Sequence, residues 1–156
     1  MFRRLCAAVL VAVLTAFPAT AAITIIPEKA AVMAATKADI PAAEELILHL
    51  ELVTGCKVPL LTAGQVADGA FIFAVGTAPA DAAPAVIGEA VWSVTPQKAY
   101  FYGDGAKGAR NAVYDFLEDE LGVRWLNRDG DIAYRSQNPL IINASSGRWQ
   151  AAFRHF

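Results

Sequence analysis

The stretch Ala99–Leu126, which reads AYFYGDGAKGARNAVYDFLEDELGVRWL, constrains the fold more than any other part of the chain. It predicts a strand, a glycine-rich loop, an amphipathic helix that stops at Gly122, and a second strand. The apolar positions of this helix recur at helical spacing and are Ala109, Ala112, Val113, Phe116, Leu117 and Leu121. Such a stripe has to be buried. We therefore expect the helix to pack back on the sheet that its own strand enters.

The loop at positions 103–108 spells G-x-G-x-x-G, follows a predicted strand and opens a helix. Asp129 lies about twenty residues further on, where a dinucleotide-binding protein has its ribose-binding acid. We nevertheless expect a simple turn with Asp104 as a candidate N-cap, because the preceding strand closes a hairpin instead of opening a βαβ repeat. Loop amides that point into an open crevice at a parallel-sheet crossover would favour nucleotide binding instead.

Residues 1–22 have the features of a signal peptide. Arg3 and Arg4 form the positive end, and the apolar run Leu5–Phe17 is too short to span a bilayer. We therefore expect a periplasmic or extracellular protein, away from the cytoplasmic nucleotide pool and without a membrane partner after cleavage. The net charge is −2, or −4 without the two signal arginines, and no basic stripe is present. This balance disfavours nucleic acid as a partner.

A second helix is predicted over residues 42–54, with Gly55 as its stop. Its inward stripe is widened by Leu48 and Leu52, so we expect this helix to be covered on more than one side. The alanine-rich stretch before it, residues 27–40, could begin a helix near Ala30.

Short β-branched and aromatic runs predict strands at 23–26, 58–61, 70–75 and 140–142, and a hairpin over 90–102. Two helices interleaved with these strands favour an α+β fold. In this fold a mixed, largely antiparallel sheet has the two main helices packed on one face.

The sequence contains no convincing catalytic constellation. The two histidines are His49, in a predicted helix, and His155, at the chain end, so neither a Ser/His/Asp set nor a metal site can be assembled. Cys56 is the one cysteine after the signal and is expected to be a small buried side chain. We expect no catalytic residue, no metal and no cofactor.

Four aromatic residues of the predicted strands are candidates for stacking against sugar rings. They are Trp92, Tyr100, Tyr102 and Trp125. Aromatic residues in strands pack in the core more often than they present a binding face, so core packing is the favoured interpretation.

The order of motifs resembles a known arrangement. The motifs are A-A-E-E-L at 42–46, T-G at 54–55, V-G-T at 75–77, and N-A-V-Y-D-F-L-E-D-E-L-G-V-R-W at 111–125, the last being the most specific. This pattern resembles the N-terminal domain of family 67 α-glucuronidases. It is also similar to the second domain of family 20 β-hexosaminidases and to the front domain of a large group of secreted bacterial proteins. The resemblance covers nearly the whole chain after the signal, although Ala152 stands where these families often have proline.

The resemblance implies a non-catalytic α+β domain that precedes a (β/α)₈ barrel carrying the catalytic carboxylates. On this basis residues 23–145 are the accessory domain, and residues 146–156 begin a linker to a downstream barrel that is missing from this chain. The expected partner is that barrel or a polysaccharide. The alternative is a stand-alone carbohydrate-binding module.

Two further expectations follow from the accessory role. Glycoside hydrolysis needs two carboxyl groups about 5–9.5 Å apart in a cleft, whereas the acids here are predicted on solvated helix faces and in turns. An apolar patch should be exposed where the barrel would sit. The tail aromatics Trp149, Phe153 and Phe156 fit such a patch.

Overall fold

The computed structural model describes residues 21–62, 64–65, 68–127 and 130–150. In chain order the elements are β1 (Ala22–Ile25), β2 (Ala30–Ala34), α1 (Ile40–Thr54), β3 (Leu60–Thr62), β4 (Phe71–Val75), β5 (Glu89–Val94), β6 (Lys98–Gly103), α2 (Gly105–Asp119), β7 (Arg124–Trp125), β8 (Ile132–Ala133), β9 (Leu140–Asn143) and β10 (Ser146–Gln150). Most of the predicted signal, Asp129, and the aromatics Phe153 and Phe156 lie outside the described residues. Neither of the two α-helices in these ranges is long and apolar enough to cross a bilayer.

Six strands form one mixed sheet in the order β10-β5-β6-β4-β2-β3. The pairs β6–β4, β4–β2 and β2–β3 are parallel, whereas β5 runs antiparallel to both β6 and β10. Two antiparallel ribbons, β1 with β9 and β7 with β8, complete the described strand pairs. Four of these seven pairs are antiparallel, so the predicted α+β fold with a mixed, largely antiparallel sheet is confirmed.

Both helices pack on one face of this sheet, with α2 over β5 and β6 and α1 over β2. The six apolar positions predicted for α2 are all buried. Phe116 lies at the centre of an aromatic cluster, its ring centroid 5.1 Å from that of Phe101, 5.6 Å from Trp92 and 6.4 Å from Phe73. Burial of these large rings ties α2 to the three central strands.

Neither helix lies on the opposite face, which we call the open sheet face. Strand register places one row of side chains across it, and this row is Leu61, Met33, Ala74, Tyr100, Ser93 and Ser146. Tyr102 lies two residues from Tyr100 and therefore shares this face. Both tyrosines are half-buried.

Two segments differ from the sequence prediction. Residues 30–34 form the interior strand β2 and do not begin a helix, because AAVMA pairs with parallel strands on both sides and four of its five residues are buried. Residues 146–150, assigned to a linker, form the edge strand β10, so the folded unit extends at least to Gln150. In addition, β1 begins at Ala22, the last residue of the predicted signal.

Candidate functional site

A crevice of about 230 Å³ lies where β2, β4 and β6 end. Its wall includes Thr36, Asp39, Gly76, Gly103, Gly105 and Ala106. The carboxyl ends of parallel strands are where open sheets usually bind ligands. The glycine-rich loop found in the sequence therefore borders a crevice at this edge of the sheet.

Two glycines of that loop bring α2 against β5. A Cβ atom on Gly103 would lie 2.2 Å from the carbonyl oxygen of Glu89, and one on Gly108 would lie 2.5 Å from the same oxygen. Gly105 differs, because it has a φ of +58° and no described atom lies within 4 Å of a Cβ placed there. Gly103 and Gly108 thus serve close packing of helix and strand, whereas Gly105 borders open space.

Asp104 occupies the N-cap position of α2, but its side chain does not cap the helix. Its Oδ2 accepts a hydrogen bond of 2.9 Å from the Gly88 amide, and its own amide donates to the Glu89 carbonyl at 2.8 Å. The prediction of an Asp104 side-chain cap is therefore wrong, because the carboxylate holds the chain entering β5 instead. The first-turn amides of α2 are left without a capping side chain.

Asp39 is a buried carboxylate in the crevice wall, with only 4% of its surface exposed. Its Oδ2 accepts hydrogen bonds from the Thr36 amide at 3.1 Å and the Thr36 hydroxyl at 2.6 Å. Gly76 makes room for it, since a Cβ at that position would lie 2.3 Å from Oδ2. Oδ1 accepts no hydrogen bond from any residue in the described ranges, so it keeps free acceptor capacity.

The crevice is not arranged as a dinucleotide site. Both sheet neighbours of β6, which are β4 and β5, precede it in the chain, so α2 does not cross over to a parallel strand beside β6. The Asp39 carboxylate would also repel a pyrophosphate bound against this wall. Asp129, the candidate ribose-binding acid, lies outside the described residues. The loop does meet an open crevice, but without the crossover and with the wrong charge for phosphate.

The structure does not bring the four aromatic candidates together. Trp92 is 3% exposed and its indole nitrogen donates a 2.9 Å hydrogen bond to Asp115 Oδ2, so neither ring face is free. Trp125 packs against Tyr114 with ring centroids 5.3 Å apart. Tyr100 and Tyr102 remain partly exposed on the open sheet face, and any stacking role falls to them.

His49 is a packing residue of the helix layer, with 1% of its surface exposed. Its Nδ1 lies 2.9 Å from the Glu45 carbonyl oxygen, and its ring meets Trp125 edge to face at 5.5 Å. Within the described residues no three His, Cys, Asp or Glu side chains converge as metal ligands would.

Cys56 is half-exposed, which corrects the expectation of a buried side chain. Its thiol donates to Glu28 Oε1 at 3.2 Å and accepts from Asn138 Nδ2 at 3.2 Å. The hydrogen bond to the Glu28 carboxylate, assisted by partial burial, raises the pKa of Cys56 above its usual value. The thiolate is disfavoured, so this is a poor nucleophile.

The outer face of α1 carries an apolar strip formed by Leu48 and Leu52. Their exposed fractions are 50% and 37%, so the expectation that they would be covered is not met within the described residues. The two leucines line a groove of about 230 Å³ together with Glu51, Gly55, Cys56 and Lys57. Trp149, at 45% exposed, is a separate apolar side chain on the edge strand β10.

One buried ion pair beside the crevice, between Glu89 and Arg148, was not predicted from the sequence. Glu89 is 3% exposed, and its Oε1 lies 2.5 Å from Arg148 Nη1 while its Oε2 accepts from the Val86 amide at 2.9 Å. The sequence feature that could have indicated it is a glutamate at the start of the mostly apolar strand EAVWSV, because a buried carboxylate needs hydrogen bonds or a cation. Arg148 lies in the segment that was assigned to a linker.

In sequence comparisons no family model and no curated protein matches the chain. In structure it is similar to the Streptomyces plicatus N-acetyl-β-hexosaminidase in complex with thio-NAglucal, with a TM-score of 0.54 and 15% identity over 83% of this chain and 23% of that one. It is likewise similar to the GH20 β-N-acetylhexosaminidase from Streptomyces coelicolor, with a TM-score of 0.52 and 11% identity over 83% of this chain and 24% of that one.

The chain thus spans about a quarter of the length of these enzymes. At such low identity the likeness concerns the fold. It confirms the similarity to the hexosaminidases that the sequence motifs indicated, whereas the likeness to α-glucuronidases stays a prediction. The chain has the fold of a domain found within GH20 β-hexosaminidases.

Proposed function

We propose that this chain is a non-catalytic accessory domain of a secreted glycoside-hydrolase-like protein of the α-glucuronidase or hexosaminidase type. The observation that carries the proposal is the shared fold: 83% of this chain superposes on about a quarter of a GH20 hexosaminidase. A fold that forms a minor part of those enzymes suits a role beside a catalytic domain. Fold alone does not fix function, so the surface has to support that role.

The apolar strip on α1 supports it. Leu48 and Leu52 lie one helical turn apart on the face of α1 that points away from the sheet, where solvent contact is unfavourable for leucine. Glu51 and Lys57 flank the strip and form an ion pair with a 2.8 Å contact. An apolar centre with a charged rim is the usual anatomy of a surface that binds another protein domain.

The described acids support the non-catalytic part of the proposal. Glu89 is neutralised by Arg148, and Asp115 accepts from the Trp92 indole. Asp39 is held by Thr36, and no second carboxylate lines its crevice. A retaining or inverting hydrolase needs two carboxyl groups facing one cleft.

Site-specific photocrosslinking in the organism that encodes the chain tests the proposal. A benzoylphenylalanine at position 48 should give one adduct, whose mass spectrum identifies a glycoside-hydrolase barrel. The same probe at position 98, on the open sheet face, is the matched control and should give none. Absence of the adduct at position 48, an equal yield from position 98, or turnover of aryl glycosides by the purified chain would refute the accessory role.

The stand-alone carbohydrate-binding module is the second candidate, and Tyr100 is the observation that favours it. Its ring lies on the open sheet face between the small residues Ala74 and Ser93, and the Lys98 ammonium lies 5.7 Å from its centroid. Titration calorimetry with uronic-acid and amino-sugar oligosaccharides tests this candidate. Binding that Tyr100→Ala abolishes supports the module, and the absence of heat from every oligosaccharide excludes it.

A further inference from the structure

The open sheet face carries aromatic rings that the accessory role does not use. Tyr100 and Tyr102 alternate along β6, so both point to this face with their Cα atoms about 7 Å apart. The neighbours of Tyr100 on the adjacent strands are Ala74 and Ser93. Both neighbours are small, and neither is large enough to cover an aromatic ring. The Tyr100 ring is therefore flanked in its row by short side chains, which suits a flat partner that stacks on it.

The accessible charge beside Tyr100 is positive. Lys98 opens β6 on the same face, and its Nζ lies 5.7 Å from the Tyr100 ring centroid. Lys98 forms no ion pair with any residue in the described ranges. Glu89 is the one carboxylate that the described strands contain, and it is 3% exposed and paired with Arg148. This face is thus suited to attract an anion, although the whole chain has a net charge of −2.

The same row contains a hydroxyl group without a partner. Ser93 Oγ is buried and makes no hydrogen bond to any described residue. Its neighbours in the row are Tyr100 and Ser146, and both of these side chains are at least partly exposed. A buried hydroxyl without a hydrogen bond is unfavourable. Small movements of these two neighbours would admit a ligand hydroxyl as the missing partner.

These three features together select one ligand chemistry. An inorganic anion would use the Lys98 ammonium and leave the tyrosine ring without a contact. A neutral sugar would use the ring and the serine hydroxyl and leave the ammonium without a counter-ion. A sugar ring with an attached carboxylate uses all three, because its C–H groups stack on the aromatic ring, its carboxylate pairs with the ammonium and its hydroxyls both donate and accept hydrogen bonds.

We propose that the open sheet face binds an oligosaccharide that contains uronic acid, with one sugar ring stacked on Tyr100 and the carboxylate of that ring paired with Lys98. This proposal rests on the second candidate function, the carbohydrate-binding module, and specifies the class of sugar that the module takes. It does not involve the apolar strip on α1, so the accessory role can hold or fail independently of it.

Titration calorimetry of the folded chain at low ionic strength tests the proposal. The probes are the trisaccharides of galacturonic acid and of glucuronic acid, and each is compared with its methyl ester, which keeps the rings and linkages but removes the charge. At least one acid should bind with a Kd of about 1 mM, and its ester should bind about tenfold more weakly. Addition of about 0.5 M NaCl should remove most of this difference, because salt screens exposed charges.

Two variants assign the contacts. Tyr100→Ala should abolish binding of both acid and ester. Lys98→Met keeps an unbranched side chain without the charge, so the acid should bind only as weakly as the ester does. Lys107→Met is the matched control, because Lys107 is exposed on α2 on the other side of the sheet, and it should bind as the parent does.

The outcomes separate this proposal from the function on which it rests. Equal binding of acid and ester by the parent chain would keep the carbohydrate-binding module and overturn the role of the carboxylate. No binding of any of the four trisaccharides would overturn both. Equally tight binding of a polyglutamate peptide, or full retention of the preference for the acid in Lys98→Met, would also overturn the proposal.

Discussion

Replacing Gly108 by alanine separates the packing role of the glycine-rich loop from a ligand-binding one. Gly108 lies in the first turns of α2, where alanine alone would stabilise the helix by about 1 kcal/mol. The new Cβ, however, would lie 2.5 Å from the Glu89 oxygen and 2.6 Å from the Gly103 carbonyl carbon. Backbone atoms must separate by about 1 Å to admit it, and overpacking of this kind costs about 1–3 kcal/mol or more.

Because the new Cβ meets backbone atoms of two segments, we expect the steric cost at the upper end of this range, about 3 kcal/mol, which leaves a net loss of about 2 kcal/mol in the free energy of unfolding after the helix gain of about 1 kcal/mol. For a domain of this length that corresponds to a fall in Tm of about 6–10 °C. Calorimetry or thermal circular dichroism measures it directly. The matched control is Lys107→Ala, an exposed neighbour whose effect should stay within about 0.5 kcal/mol.

Gly105→Ala provides a second comparison. Its Cβ meets no described atom, so the expected cost is the strain of a φ of +58° alone, about 1 kcal/mol. A Gly108→Ala variant that melts at or above the parent temperature would show that helix and strand are not in close contact. Gly108 would then have no role in packing α2 against β5.

Three further changes probe other contacts. Arg148→Met leaves the buried Glu89 carboxylate without its cation and should lower the free energy of unfolding in urea by about 1–3 kcal/mol. Adding Glu89→Gln should recover part of this loss, and no recovery would contradict a direct pairing of the two side chains. Glu28→Gln removes the carboxylate that raises the pKa of Cys56, so iodoacetamide should alkylate this thiol faster at pH 8; an unchanged rate would refute the contact. Trp92→Phe removes the indole hydrogen bond to α2 and should destabilise by about 2 kcal/mol, whereas a neutral result would mean that the bond does not form.

Local sequence patterns predicted the helices and strands whose ends are marked by glycine or proline residues in the sequence. The helix ending at Gly55, the stripe of α2 and the hairpin that turns before Lys98 follow from periodicity and glycine or proline positions. Strand β2 could not be found this way. AAVMA is alanine-rich and becomes a strand because parallel neighbours flank it on both sides, which is a non-local cause.

The candidate site was predictable only in part. The glycine motif predicted the position of the loop. It does not show which glycines allow α2 to pack against β5 and which border the crevice. The place of Asp39 beside Gly76 depends on the ends of two strands meeting at one edge of the sheet. Tertiary proximity of this kind leaves no periodic signal in a single sequence.

The ribbon of β1 and β9 has a consequence for how the chain acquires its structure. It pairs Ala22 with Asn143, at nearly opposite ends of the described chain. Contacts so distant in sequence are slow to form and cannot form until almost all of the chain is available. While the polypeptide is being synthesised, β1 has no strand to pair with. The ribbon that joins the two ends of the described chain is therefore completed only after β9 has been made.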